Sequence, residues 1–209
     1  MYSPNFPYPL YLVISEENCL EHSIFHVLEA SLKAGLPLVQ LREKHKSDAD
    51  FLALAQEVKK LTDRYQRPLI INDNLELALQ INAFGIHVGN SDISPQKIKT
   101  VWPNCPCVGY SIEYIEQLDS EQLAYVDYIA ASPVFKTNTK TDTVTEWGIE
   151  GIQQLSSLTD LPLVGIGQMN LENCSEVYQA GAHSIAVVSA ICGANDPEYI
   201  TRLFLEKLK

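Results

Sequence analysis

Eight short apolar runs, separated by helical stretches and each ending in or followed by a polar or small residue, constrain this chain more than any other feature. In order they are Leu10–Ile14, Leu38–Lys44, Leu69–Asp73, Gly85–Gly89, Val108–Ser111, Val126–Ala131, Leu163–Ile166 and Ser184–Val188. Leu69, Ile70 and Ile71 are apolar on both faces, as expected of a parallel strand covered by helices. Helical periodicity runs from Leu20 to Ala34 and stops at Gly35. It returns from Ser47 to Arg64, with Phe51, Leu54, Ala55, Val58 and Leu61 as one apolar stripe. Shorter helices are predicted over Leu75–Ile81, from Ser94-Pro95 onward, around Ile115, Leu118 and Leu123, and over Trp147–Leu158, Leu171–Gln179 and Pro197–Leu208. Eight strand–helix units in 209 residues predict a single-domain α/β protein, a closed (β/α)8 TIM barrel at the small end of its size range. Residues 10–209 form the barrel, and the Pro-rich residues 1–9 read as a surface lead against its bottom.

Charge narrows the ligands. A formal charge of −11 and a pI near 4.8 repel nucleic acid and anionic membrane, so an anionic ligand needs a local basic cluster. No apolar run approaches the roughly 18 residues of a membrane span, and the N-terminus lacks a basic region before an apolar core, so a cytoplasmic protein is expected. A homo-oligomer is compatible with this composition. The five cysteines are scattered and read as reduced thiols; Cys105 and Cys107 lack the second pair that a zinc site needs. His22 and His26, four apart on a helix, read as ordinary helix-face residues.

In this architecture chemistry belongs at the C-terminal ends of the strands. Gln40, Arg42 and Lys44 alternate along the second run and would share one face, either the wall of an anion site or a solvated edge. Later runs favour the wall, because Asn72, Asp73, Asp92, Ser111, Thr137, Thr139, Lys140, Gln168 and Ser189 fall at the same end. Asp73 and Asp92 follow neighbouring strands and suit Mg²⁺, which takes one or two carboxylates with water and phosphate oxygens. Each is also placed to cap the helix that follows it. The loop with Thr137, Asn138, Thr139 and Lys140 offers hydroxyls and a cation to phosphate, and Gly167, Gln168, Val188 and Ser189 lie where barrels bind phosphate through backbone N–H groups.

Six segments in order make a resemblance specific: Gln40-Leu41-Arg42-Glu43-Lys44; Ile71-Asn72-Asp73; Gly85-Ile86-His87-Val88-Gly89 with Asp92; Gly109-Tyr110-Ser111; Ser132-Pro133-Val134-Phe135 with Thr137 to Lys140; and Ala186 to Ile191. The chain resembles the thiamine phosphate synthases over Leu10 to Leu208. The resemblance implies a Mg²⁺-dependent transferase of thiamine biosynthesis. Its reaction joins hydroxymethylpyrimidine diphosphate to hydroxyethylthiazole phosphate, giving thiamine phosphate and diphosphate. It further implies that Gln40, Leu41, Arg42, Glu43, Lys44, Asn72, Ser111 and Lys140 hold the pyrimidine diphosphate, with Arg42, Lys44, Ser111 and Lys140 as catalytic groups. Asp73 and Asp92 would hold the metal. Thr137, Asn138, Thr139, Gly167, Gln168, Val188 and Ser189 would border the thiazole phosphate.

Three positions depart from the family pattern: Gln168 and Ser132 stand where it has glycine, and Asn90 where it has glutamine. Gln168 keeps a backbone N–H, but its side chain would crowd a phosphate or resist a positive φ. The chemistry asks for no general base, since the pyrimidine methylene sheds diphosphate to leave a ring-stabilised cation and the thiazole nitrogen already owns its attacking lone pair. Two related readings share the barrel. A thiazole tautomerase would carry a histidine where this chain has Pro133, and a non-catalytic thiamine-phosphate sensor would draw on Gln168 and Ser132.

Overall fold

A computed structural model describes residues 6–136 and 145–209. Eight parallel strands close on themselves in sequence order: β1 (Leu10–Ile14), β2 (Leu38–Leu41), β3 (Leu69–Asn72), β4 (Gly85–Val88), β5 (Cys107–Ile112), β6 (Tyr128–Ala131), β7 (Leu163–Ile166) and β8 (Ser184–Val187). The last step pairs β8 with β1, Tyr11 lying opposite Ala186, so no strand edge is left for another chain to pair with. Around the barrel run α1 (Ile24–Lys33), α2 (Asp48–Arg64), α3 (Leu75–Gln80), α4 (Pro95–Val101), α5 (Gly148–Leu158), α6 (Cys174–Gln179), α7 (Ser189–Cys192) and α8 (Pro197–Lys207). Among the described residues no helix is long and apolar enough to cross a membrane.

Period-2 alternation sorts each strand's side chains between two cores. Leu10, Leu12 and Ile14 of β1 face the helices, whereas Tyr11 and Val13 join Leu38, Ile70, Cys107, Tyr128, Val164 and Ala186 inside the barrel. Aromatic rings dominate the lower interior. Phe6, fully buried, stacks on Tyr128 with ring centroids 4.3 Å apart and meets Tyr11 edge-on, so this residue of the lead enters the N-terminal mouth of the barrel rather than lying on its surface. Gly109 creates the space for this cluster: a Cβ there would fall 2.1 Å from Tyr128 Cζ and 2.4 Å from His87 Nδ1.

Several elements differ from their sequence-based expectation, each for a local reason. The first helix begins at Ile24 instead of Leu20, because Ser23 caps it through the His26 N–H and Leu20 takes a positive φ of 49°. The stretch around Ile115 to Leu123 forms two 3-10 turns, Ile115–Asp119 and Glu121–Tyr125, split by Ser120 in an extended conformation. Strand β2 ends at Leu41, so Arg42 and Lys44 belong to the loop beyond it. The sequence showed no sign of the short α7, which Val188 precedes at the end of β8.

Gly109→Ala should destabilise the barrel by about 1–3 kcal/mol, the usual cost of overpacking a filled core, with Tyr128 and His87 forced from their positions. Urea denaturation measures it; an unchanged midpoint would show that the interior can relax around a methyl group.

Candidate active site

The C-terminal ends of the strands surround one cavity, and its wall is assembled from loops that the preceding strands aim inward. Gln40, still within β2, is buried and points into it, while Arg42 and Lys44 reach it from just past the strand. The Arg42 N–H donates to the Ile14 carbonyl at 2.9 Å, which carries the ladder one residue further and fixes where the loop departs. Asn72, Asp73, Asp92 and Ser111 complete this side, and Gly167, Gln168, Val188 and Ser189 stand opposite.

Neither aspartate serves as a helix cap. Asn74 caps α3 by accepting the Leu77 N–H at 2.9 Å, and Ser94 caps α4 by accepting the Lys97 N–H at 3.3 Å. Asp73, at φ 62°, instead accepts from Lys44 Nζ at 2.5 Å, and its own N–H donates to the His87 carbonyl at 2.9 Å. Asp92 accepts the Gly89 N–H at 2.8 Å. Burial, then Asp73 close beside it, hold the Asp92 carboxyl above the usual carboxylate range, only partly offset by the Gly89 N–H and Lys44. Two adjacent carboxylates with lone pairs facing a polar cavity are a donor set that fits a hard divalent cation. Lys44 stands in for part of that positive charge.

Not every expected residue reaches the cavity. Leu41 is fully buried against the helices, because it lies one position out of phase with Gln40. Glu43 turns back to accept the Glu16 N–H at 2.8 Å, and burial raises its carboxyl pKa. The side chains of both are therefore absent from the wall. Thr137, Asn138, Thr139 and Lys140 lie outside the described residues.

The family departures also have structural accounts. Gln168 takes a φ of 52°, so its side chain does not forbid the left-handed conformation, and that side chain is exposed. Its carbonyl accepts from Asn173 Nδ2 at 2.9 Å. Gly167, at φ 111°, has no such latitude: a Cβ would lie 2.5 Å from Pro133 Cβ and 3.0 Å from the Phe135 carbonyl oxygen. Asn90 is occupied elsewhere, its Oδ1 accepting from the Tyr110 hydroxyl at 2.7 Å and from Gln117 Nε2 at 2.5 Å. Ser132 is buried at the cavity wall, with its N–H directed to the Ile112 carbonyl at 3.3 Å.

Sequence reasoning missed the groups beneath the rim. Tyr11 and His87 line the cavity floor, and Tyr128 joins them below. Burial pushes both tyrosine pKa values up, so the two hydroxyls keep their protons. The available signals were Tyr11, Tyr128 and His87 at inward positions of runs whose other inward residues are apolar or small.

Fold and rim together define a (β/α)8 barrel whose charged and polar groups gather where enzymes of this architecture carry their chemistry. The profile of the family described as thiamine monophosphate synthase matches residues 10–191, and the chain belongs to that family. It is 40% identical over 188 residues to the thiamine-phosphate synthase of Albidiferax ferrireducens, spanning 90% of this chain and 86% of that protein. The thiamine-phosphate synthase of Streptococcus suis is 39% identical over 204 residues, or 96% of this chain and 89% of its own. A solved structure of thiamine phosphate pyrophosphorylase from Pyrococcus furiosus superposes with a TM-score of 0.87 at 25% identity, covering 99% of this chain and 98% of that one.

The raised Asp92 pKa has a measurable sign. The folded state holds this proton more tightly than the unfolded chain, so stability is lost as pH rises from the ordinary carboxylate value through the raised one. Asp92→Asn, which keeps an acceptor for Gly89, should therefore be the more stable protein in chelator near neutral pH. Solvent screening keeps the gain small, about 1–2 °C in Tm for a domain of this size. Melts in chelator from about pH 4.5 to about pH 7.5 should show the variant's advantage growing with pH; a constant difference would mean that burial and Asp73 together do not raise the Asp92 carboxyl.

Proposed function

We propose that the protein couples hydroxymethylpyrimidine diphosphate to hydroxyethylthiazole phosphate, releasing thiamine phosphate and diphosphate, as a Mg²⁺-dependent transferase acting in the cytoplasm on small phosphorylated substrates. One observation carries the reading. Gln40, Arg42, Lys44, Asn72, Asp73, Asp92 and Ser111, from strands β2 to β5, line a single cavity in a chain of the thiamine monophosphate synthase family.

The reaction breaks the bond between the pyrimidine methylene carbon and the diphosphate oxygen, whose electron pair leaves with diphosphate. The ring stabilises the resulting cation, and the thiazole nitrogen lone pair forms the new carbon–nitrogen bond. No proton moves in that step. The protein's task is to hold two phosphorylated molecules in line and to stabilise a leaving group, which is positioning plus electrostatics. Arg42 and Lys44 supply fixed positive charge to the diphosphate, with Lys140 joining them from outside the described residues. Asp73 and Asp92 would hold Mg²⁺, which when bound supplies charge neutralisation of the diphosphate oxygens. Lys44 then exchanges its Asp73 partner for phosphate. Gly167, Gln168, Val188 and Ser189 offer backbone N–H groups and a hydroxyl to the thiazole phosphate, supplemented by Thr137, Asn138 and Thr139.

Incubating the purified protein with Mg²⁺ and both substrates should yield thiamine phosphate. No product with either substrate order or excess metal overturns the reading. Within an active protein, Asp73→Ala should lose about two orders of magnitude in turnover, the scale set by removing one electrostatic stabiliser of a developing charge. Full activity with unchanged Mg²⁺ dependence would remove Asp73 from the metal site.

Gln168→Gly offers a separate check on the opposite wall. Glycine adopts the observed positive φ without strain, so the variant should bind thiazole phosphate at least as tightly as the parent, with a gain limited to about fivefold by the extra freedom to be frozen. Calorimetry decides it: clearly weaker binding would assign the Gln168 amide a direct contact with the ligand.

A further inference from the structure

Five side chains from five strands form one hydrogen-bonded line across the barrel. Gln40 Nε2 lies 2.6 Å from the Tyr11 hydroxyl, Tyr11 lies 2.8 Å from the Tyr128 hydroxyl, Tyr128 lies 2.8 Å from His87 Nδ1, and His87 Nε2 lies 2.9 Å from Ser111 Oγ. The line begins and ends on residues of the cavity wall, Gln40 and Ser111, while Tyr128 is fully buried between them. Three of its five residues, Tyr11, Tyr128 and His87, have no part in the proposed chemistry, and a buried polar group left without a partner carries a desolvation cost.

Counting donors assigns the direction of every bond. An amide nitrogen only donates, so the Tyr11 oxygen accepts from Gln40. The Tyr11 proton then has the Tyr128 oxygen as its remaining partner among the described residues. Tyr128 in turn donates to His87 Nδ1, which must carry a lone pair there. The imidazole proton consequently sits on Nε2 and donates to Ser111 Oγ. With its oxygen accepting from His87, the Ser111 hydroxyl proton is left to point into the cavity. The reverse direction, or a doubly protonated imidazole, would have His87 donate to Tyr128 and Tyr128 to Tyr11, stranding the Tyr11 proton in a fully buried position.

We propose that Tyr11, Tyr128 and His87 are positioning residues whose relay fixes Ser111 as a hydrogen-bond donor into the cavity, aimed at an acceptor lone pair of the pyrimidine diphosphate substrate. The geometry of the interior supports this directly. Gly109 lies opposite both His87 and Tyr128 in the sheet register, and its missing side chain is what lets their polar atoms meet. Phe6 stacks on Tyr128 from below and His87 stacks alongside it at 5.5 Å, so the ring that carries the central hydroxyl is held on two sides. A serine alone can rotate its hydroxyl to donate or accept; one that already accepts from His87 has its donor direction chosen before substrate arrives, which is preorganisation.

The kinetic arm of the test rests on the proposed coupling reaction, and the spectroscopic arm does not. In the resting protein, nitrogen-15 chemical shifts of His87 should report a neutral ring protonated at Nε2; a ring protonated at Nδ1 overturns the relay whatever the enzyme's activity. In the assay, Tyr128→Phe keeps the stacked ring and removes only the hydroxyl, and should lower kcat about tenfold to a hundredfold, the cost of mispositioning a group at the reacting centre. KM for the thiazole phosphate should stay unchanged. Ser111→Ala should show a loss at least as large, and the double variant should be no slower than Ser111→Ala alone. Wild-type kcat in Tyr128→Phe, or losses that multiply in the double variant, overturns the proposal. His87→Gln, whose amide nitrogen can replace the Nε2 donor, should retain more kcat than His87→Ala, and equal losses in those two variants also overturn it.

Discussion

The interior of a closed barrel of eight short strands is a costly place for polar groups, which are held there mainly by hydrogen bonds to one another. The line from Gln40 to Ser111 meets that demand, and much of the interior is arranged around it. Tyr11 and Tyr128 supply bulk as well as hydroxyls, filling the lower barrel while connecting its two sides. Phe6 seals the mouth below them, and Gly109 yields the volume that Tyr128 and His87 occupy. Packing and polarity are thus satisfied by the same residues.

Above that floor, electrostatics take over. The chain as a whole is strongly acidic, yet its cavity gathers Arg42 and Lys44 against Asp73 and Asp92. The Lys44–Asp73 pair is partly exposed and contributes little to stability. In the proposed reaction its importance lies in exchange: an ion pair at a surface-accessible cavity can be traded for contacts with an incoming cation and anion at small cost. Asn74 and Ser94 perform the helix capping, which leaves the Asp73 and Asp92 carboxylates available to the cavity.

The barrel was legible because its signal is repeated eight times and each repeat is nearly self-contained. Rim residues were legible for a related reason, since a polar side chain closing an apolar run has few structural motives to be there. What failed to show was anything that depends on phase at a strand end or on three-dimensional meeting. Leu41 and Glu43 sit in the same five-residue segment as Gln40, Arg42 and Lys44, but strand alternation turns Leu41 away from the cavity and, in the loop beyond, Glu43 turns back to the Glu16 N–H. His87 lies inside a recognisable motif, and Tyr11 and Tyr128 are single aromatics within two strand runs. Their connection spans 117 positions between the two tyrosines, which no local pattern reveals. Gln168 shows a different limit: side-chain preference argued against a positive φ, and the surrounding turn imposed one all the same.

The relay also bears on how such a barrel can be taken apart. Repeated βα units invite the idea that a chain like this is two interchangeable halves, joined between β4 and β5. Here β1, β2 and β4 contribute Tyr11, Gln40 and His87 from the first half, while β5 and β6 contribute Ser111 and Tyr128 from the second. The line crosses the seam three times, at Tyr11 to Tyr128, at Tyr128 to His87 and at His87 to Ser111. A recombinant that borrows one half from a barrel of different interior would inherit matching backbones and broken hydrogen bonds, so in this chain the unit that can be exchanged intact is the whole ring.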